Sequence, residues 1–216
     1  MNKYKELIDF CSERAITLVA VTKTRSINAI QSLYDQGHRD FGENRVSELV
    51  EKHDVLPKDI AWHMIGHLQT NKVKYIAPFV KMIHSGASLS LLKEINKRAA
   101  KNDRIIDVLL QIKIANEEAK SGWDIKELIT HFSNKEIQIF ENIRIRGVMG
   151  MATFTSGEDI IRSEFRNLKS YFDQIKSDYF SKEDYFDTIS MGMSGDYKLA
   201  ALEGSTMFRI GSLLFQ

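Results

Sequence analysis

Lys23 stands where the apolar run Leu18-Val19-Ala20-Val21 gives way to the polar stretch Thr24-Arg25-Ser26. A primary amine at the end of a buried strand can condense with an aldehyde once it has lost its proton, and low-dielectric surroundings or a nearby cation favour that loss. Arg25, Arg45 and Arg209 are the candidate cations. Near the C-terminus, Met191-Gly192-Met193-Ser194 and Ile210-Gly211-Ser212 supply small residues where backbone N–H groups can point at an anion. An amine and two such loops suggest an aldehyde with a phosphate tail. The plainer alternative is a solvated rim lysine with ordinary loop glycines, in which Ser194 caps the helix that follows.

Arg209 lies inside the apolar run Met207-Phe208-Arg209-Ile210. A buried guanidinium needs partners because its charge cannot be removed at ordinary pH. It either pairs with a carboxylate or faces a heteroaromatic ring nitrogen, which it would keep unprotonated. In Glu43-Asn44-Arg45, the Asn44 amide is placed to hold a ring or to cap a helix, with Glu43 and Arg45 pairing elsewhere on the rim. His63 falls in an apolar run and reads as a hydrogen-bonded core histidine, whereas His67 reads as a rim residue. His63, His67 and His84 make no strong metal signature, and the chain has no HExxH, P-loop or GxSxG motif. Tyr171-Phe172 and Tyr185-Phe186 lack the basic interleaving of an RNA-binding surface.

The elements that must position these residues alternate along the chain. Candidate strands are Thr17–Val21, Asp40–Phe41, Ile60–Ile65, Val80–His84, Ile106–Ile112, Ile145–Met149, Thr188–Met191 and Met207–Ile210. Several are continuously apolar, as parallel strands covered by helices should be. Candidate helices are Lys3–Cys11, Ile27–Gln36, Arg45–Lys52, Thr70–Ala77, Leu89–Lys101, Asp124–Thr130, Glu158–Ser177 and Tyr197–Glu203. Gly37 and Gly204 read as helix stops, and Pro57 and Pro78 fall in connections. Eight strands, each followed by a helix or helical turn, predict an α/β fold: a single-domain (β/α)8 TIM barrel over residues 1–216. The absence of glycine from Val21-Thr22-Lys23-Thr24-Arg25-Ser26 argues against the dinucleotide-binding competitor. Lys23, Glu43-Asn44-Arg45, Gly66-His67, Ser85, Ser190–Ser194 and Arg209–Ser212 all follow strand ends, which converge on the active-site face of a barrel. The first helix closes the bottom of the barrel or packs outside it.

Composition narrows the partners. Thirty basic residues against 29 acidic ones give a formal charge of +1, no electrostatic case for nucleic acid or membrane. Cys11 is the one cysteine, so there is no internal disulfide and no cysteine-built metal site. No apolar run reaches the ~18 residues of a membrane span, and the N-terminus has no long apolar leader, so a cytoplasmic location is expected.

Several segments resemble the pyridoxal-phosphate homeostasis proteins, single-domain relatives of the alanine racemase N-terminal barrel. They are Val21-Thr22-Lys23-Thr24, Phe41-Gly42-Glu43-Asn44-Arg45-Val46, the run from Trp62 to Lys72, and Glu118-Ala119-Lys120-Ser121-Gly122. Ser190–Ser194 with Asp196-Tyr197, and Gly204–Gly211, complete the set in family order. The resemblance implies that the cofactor is pyridoxal 5'-phosphate, with Lys23 forming a Schiff base and Arg209 facing the pyridine nitrogen. It implies that Ser194, Gly211 and Ser212 hold the phosphate, with Met193 and Asn44 lining the cofactor. It further implies a cytoplasmic monomer in vitamin B6, amino-acid and keto-acid homeostasis, without an established reaction, for which apo-enzymes are candidate recipients. The chain departs from the family pattern at His84-Ser85-Gly86-Ala87-Ser88, at Lys113 and at the terminal Gln216. Two competing functions remain open: an amino-acid racemase or lyase using the same lysine, and a barrel for a phosphorylated metabolite without covalent cofactor. A racemase needs a second base opposite Lys23. No tyrosine or cysteine is obviously placed for it, and a chain ending at Gln216 leaves no room for the second domain that carries that base in alanine racemases.

Overall fold

The computed structural model describes residues 3–115 and 121–215. Glu118, Ala119, Lys120 and Gln216 of the family pattern lie outside them. Eight parallel strands close into a barrel in chain order: β1 Thr17–Val21, β2 Asp40–Glu43, β3 Ala61–Met64, β4 Met82–Gly86, β5 Ile106–Gln111, β6 Ile143–Met149, β7 Thr188–Ser190 and β8 Met207–Ile210. β8 pairs back onto β1 with Val19 opposite Arg209. The predicted alanine racemase-like (β/α)8 architecture is the observed one.

The helices are α1 Lys3–Ser12, α2 Ile27–Asp35, α3 Val46–Val55, α4 Val73–Ile76, α5 Leu89–Ala100, α6 Ile125–Ser133, α7 Glu158–Tyr179 and α8 Tyr197–Leu202. Their starts follow from capping chemistry. Ser26 accepts from the Ala29 N–H, Ser88 from Leu91, and Asp124 from Lys126 and Glu127. α7 buries Ile161, Phe165, Leu168, Phe172 and Ile175, a 4-3-4-3 spacing that keeps one stripe on the sheet. That stripe belongs to the large core between sheet and helices. The barrel interior carries a smaller cluster of Val19, Met82, Leu109, Met149 and Met207. α1 packs outside the barrel: the Phe10 ring meets Tyr197 at 5.5 Å and Phe208 at 6.4 Å.

Observed and predicted bounds differ at several elements, β4 running over Met82–Gly86 rather than Val80–His84, and charged residues explain two of the differences. β2 runs on to Glu43 because a lysine pairs with that carboxylate. β6 begins at Ile143 because its arginines have acceptors: Arg144 donates to Asp107 at 2.7 Å, and Arg146 donates to Asp107 at 3.2 Å and to both oxygens of Asp187 at 2.9 Å. The helix expected over Thr70–Ala77 is a 3₁₀ turn, Thr70–Lys72, followed by the single turn α4 before Pro78. No helix among the described residues is long and apolar enough to cross a membrane.

Gly147 fixes the bend in β6. It sits at φ +148°, and a Cβ there would lie 1.8 Å from the Thr188 carbonyl oxygen. Backbone cannot yield as a flexible side chain can, so Gly147→Ala should cost at least ~3 kcal/mol through overpacking and strain together. Urea unfolding checks this; an unchanged midpoint would contradict it.

Candidate functional site

At the C-terminal ends of the strands a cavity of about 780 Å³ opens, within the roughly 300–1,000 Å³ typical of small-molecule sites. Lys23, Asn44, Met193, Ser194, Arg209, Gly211 and Ser212 all line it. So do His67, Gln111, Ser121, Met151, Phe154 and Asp196. Residues from the ends of β1, β2, β3, β5, β6, β7 and β8 thus meet in one place.

Not every residue near a strand end contributes. Glu43 lies beneath the cavity, fully buried, rather than on the rim. Arg45 lines a neighbouring groove with Val46, Val50 and Tyr75, and Arg25 stacks over Phe215 at 5.2 Å. The Ser85 hydroxyl is buried without a hydrogen-bond partner among the described residues, away from the cavity lining. Neither expected cap forms. α3 opens after Arg45 rather than Asn44, and α8 after Asp196 rather than Ser194, both without a side-chain cap bond. The Asp196 carboxylate instead turns back to accept the Met193 N–H at 2.5 Å. At six residues α8 is too short to contribute much of a dipole, so the anion chemistry here belongs to the turns themselves. Among the described residues, the N–H groups of Ser194, Gly195 and Ser212 have no protein acceptor. Three donors on two adjacent turns suit a phosphate.

The amine is held by a network beneath it. Lys23 occupies the turn after β1, between Thr22, which is buried, and Thr24, which adopts φ +61°. That left-handed conformation is costly for a β-branched residue and requires support. Glu48 of α3 accepts the Thr24 N–H at 3.1 Å, and Lys52 of α3 donates to the Thr22 carbonyl at 2.8 Å. Lys52 also pairs with Glu43 at 2.5 Å and with Glu48 at 3.3 Å, while the Thr22 hydroxyl donates to Glu43 at 2.5 Å. The Thr24 N–H holds the Glu48 carboxyl below the usual range, with Lys52 and Arg45 adding to it against the cost of burial. Burial wins at Glu43, whose carboxyl is raised despite Lys52 and Thr22. Gly66 completes this wall: a Cβ there would lie 2.3 Å from the Asn44 carbonyl oxygen.

Arg209 forms part of the cavity floor and is 4% exposed. It is not held by a carboxylate pair. Its guanidinium donates to the Ser190 hydroxyl at 2.6 Å and to the Gly150 carbonyl at 3.0 Å. Burial pushes its pKa down to about 10, opposed by the Asp196 charge, so it remains a cation at neutral pH. Burial, opposed by the Met193 N–H and the Arg209 charge, raises the Asp196 carboxyl. His63 is buried and bonded on both nitrogens, to Asp40 and His84. Cys11 is buried in α1 with its thiol pushed up to about 11, mainly by burial, so it supplies no base.

The sequence matches the family described as alanine racemase, N-terminal domain, over residues 2–216. It is 36% identical over 207 residues to the pyridoxal phosphate homeostasis protein of Aquifex aeolicus, covering 94% of this chain and 87% of that one. The chain belongs to the pyridoxal phosphate homeostasis protein family. The Escherichia coli K12 member is 34% identical over 209 residues, covering 94% and 86%. Among solved structures, PipY of Synechococcus elongatus with PLP bound superposes at TM-score 0.83 with 30% identity, covering 94% of this chain and 93% of that one. Alanine racemase of Clostridium difficile, at 14% identity and TM-score 0.74, shares the fold over 99% of this chain and 55% of its own.

Gln111 and Asp196 are the site residues hardest to find by sequence pattern. Gln111 ends an apolar strand and donates to the Ser121 carbonyl at 2.7 Å, fixing the loop at the mouth. A polar residue closing an apolar run was its signal.

The Lys52–Glu43 pair yields a test. Lys52→Met leaves a carboxylate uncompensated in the interior and should cost about 3–5 kcal/mol. Adding Glu43→Leu should recover most of that loss in urea unfolding; a double variant as unstable as the single one would contradict the pairing.

Proposed function

We propose that this chain binds pyridoxal 5'-phosphate in the cavity at the barrel mouth and serves in intracellular vitamin B6 balance as a carrier rather than a catalyst. The observation that carries this reading is the convergence of three chemistries on one cavity: a primary amine at Lys23, a buried cation at Arg209, and untaken N–H donors at Ser194, Gly195 and Ser212. When bound, the cofactor supplies an aldehyde that links to an amine and a ring that withdraws electrons. Lys23 provides that amine. Ser194, Gly211 and Ser212 hold the phosphate, Asn44 and Met193 flank the ring, and Arg209 meets the ring nitrogen as a donor only. A nitrogen so met stays unprotonated, which weakens the ring as an electron sink and suits holding over turnover.

The racemase alternative has one specific support: His67 and Asp196 line the cavity beside Lys23. A racemase needs two bases on opposite faces of the substrate carbon. The Asp196 carboxylate is spent on the Met193 N–H, which favours the carrier. We place the carrier in the cytoplasm as a monomer without nucleic-acid or membrane partners, its near-zero net charge offering neither a steering field.

Two outcomes test this. Protein mixed with pyridoxal 5'-phosphate should gain near-ultraviolet or visible absorbance, and borohydride followed by peptide mapping should find the adduct on Lys23. Lys23→Ala should lose the covalent adduct yet retain weaker binding through the phosphate turns. An adduct on another lysine with Lys23 unmodified would sink the assignment, and no absorbance change at all would favour a plain phosphate-ester binder. Loaded protein in heavy water should show no steady conversion of L- to D-alanine. Conversion at about 1 s⁻¹ or faster, lost in Lys23→Ala, would make it an enzyme.

A further inference from the structure

Below the cavity a line of polar side chains crosses the otherwise apolar barrel interior. Arg209 on β8 donates to Ser190 on β7 at 2.6 Å, and the Ser190 Oγ lies 3.2 Å from Nδ1 of His84 on β4. His84 Nε2 lies 2.9 Å from Nδ1 of His63 on β3, and His63 Nε2 lies 3.0 Å from Oδ1 of Asp40 on β2. Ser190 and His84 are fully buried, and His63 nearly so. Asp40, at the far end, has its side chain 38% exposed.

We propose that Ser190, His84 and His63 form a one-way chain of hydrogen bonds from Arg209 to Asp40, and that they are positioning residues fixing the guanidinium against the cofactor ring. The assignment of function to the ring contact rests on the pyridoxal-phosphate reading above; the direction of the chain does not.

The direction follows from the two ends. A guanidinium can only donate and an ionised carboxylate can only accept. Burial would raise Asp40, but the His63 hydrogen bond and the positive charges around it lower the carboxyl overall, so it is ionised at neutral pH. Each group between must then pass one proton along. The Ser190 hydroxyl donates to His84 Nδ1, His84 Nε2–H donates to His63 Nδ1, and His63 Nε2–H donates to Asp40. Both histidines are neutral Nε2–H tautomers. The reverse polarity needs a doubly protonated His63 and a His84 proton aimed at Ser190. It would leave the Ser190 hydroxyl proton without an acceptor among the described residues and add a second interior cation. Burial, with the Arg209 charge adding to it, holds His84 well below the usual histidine range, consistent with a neutral ring.

Two acceptors in different directions, Ser190 and the Gly150 carbonyl, fix the plane of the guanidinium. Ser190 in turn is oriented by His84, and His84 by His63. The positive charge at the cavity floor is thereby held by neutral acceptors, with the Asp196 carboxylate of the cavity lining as its nearby opposite charge.

The test has two arms. Long-range ¹⁵N–¹H correlation spectra of the wild-type protein without cofactor should show both His63 and His84 as neutral Nε2–H tautomers. A doubly protonated His63, or a His84 proton on Nδ1, would overturn the chain whether or not the protein takes up pyridoxal 5'-phosphate. In the second arm, Ser190→Ala should weaken pyridoxal 5'-phosphate binding about tenfold and shift the bound absorption band, with Ser190→Thr restoring both. Affinity and band unchanged in a folded Ser190→Ala would overturn the positioning role. Failure of wild-type protein to take up pyridoxal 5'-phosphate at all would instead sink the cofactor reading, with the tautomers still deciding the chain.

Discussion

A guanidinium keeps its charge at neutral pH, so burying Arg209 inside a closed barrel obliges its surroundings to be polar. Met82, Leu109, Met149 and Met207 fill the interior as in any small barrel, yet Ser190, His84 and His63 cut across that packing. On the proposal above, those three keep one cation in place. The site above has a fixed donor at its cavity floor, held by the Ser190 hydroxyl and the Gly150 carbonyl.

A second buried charge solves a different problem. The turn that carries Lys23 contains a threonine in a left-handed conformation, which would relax if left unsupported. α3 reaches under it with Lys52 and Glu48, one bonding the carbonyl before Lys23 and the other the N–H after it. The amine therefore stands on an ordered turn while its own side chain remains exposed to the cavity. Glu43 neutralises Lys52 and so lets β2 extend two residues further than apolar patterning predicts.

Much of this was legible in the residues because parallel strands covered on both faces leave continuous apolar runs, as β1 and β8 do with their observed bounds. The strand-end rule predicts that Lys23, Ser194, Arg209 and Ser212 converge, and they line one cavity. What remained hidden shares one cause: polar and charged side chains whose partners are distant in sequence. Lys52 closed a predicted helix, Arg144 fell outside the predicted strand, and His84 and Ser190 are 106 residues apart. Asn44 and Ser194 looked like helix caps because cap preference is local, whereas the loops that place them in the cavity wall are set by Gly66 and Asp196.

The central claim is geometric, and a crystal structure of this chain grown with pyridoxal 5'-phosphate tests it most directly. The account predicts density continuous with Nζ of Lys23, the phosphate between the Ser194-Gly195 and Gly211-Ser212 turns, and the ring nitrogen within hydrogen-bond distance of Arg209. A phosphate seated instead in the groove beside Arg45 and Lys72, or a ring whose nitrogen points away from Arg209, would contradict it.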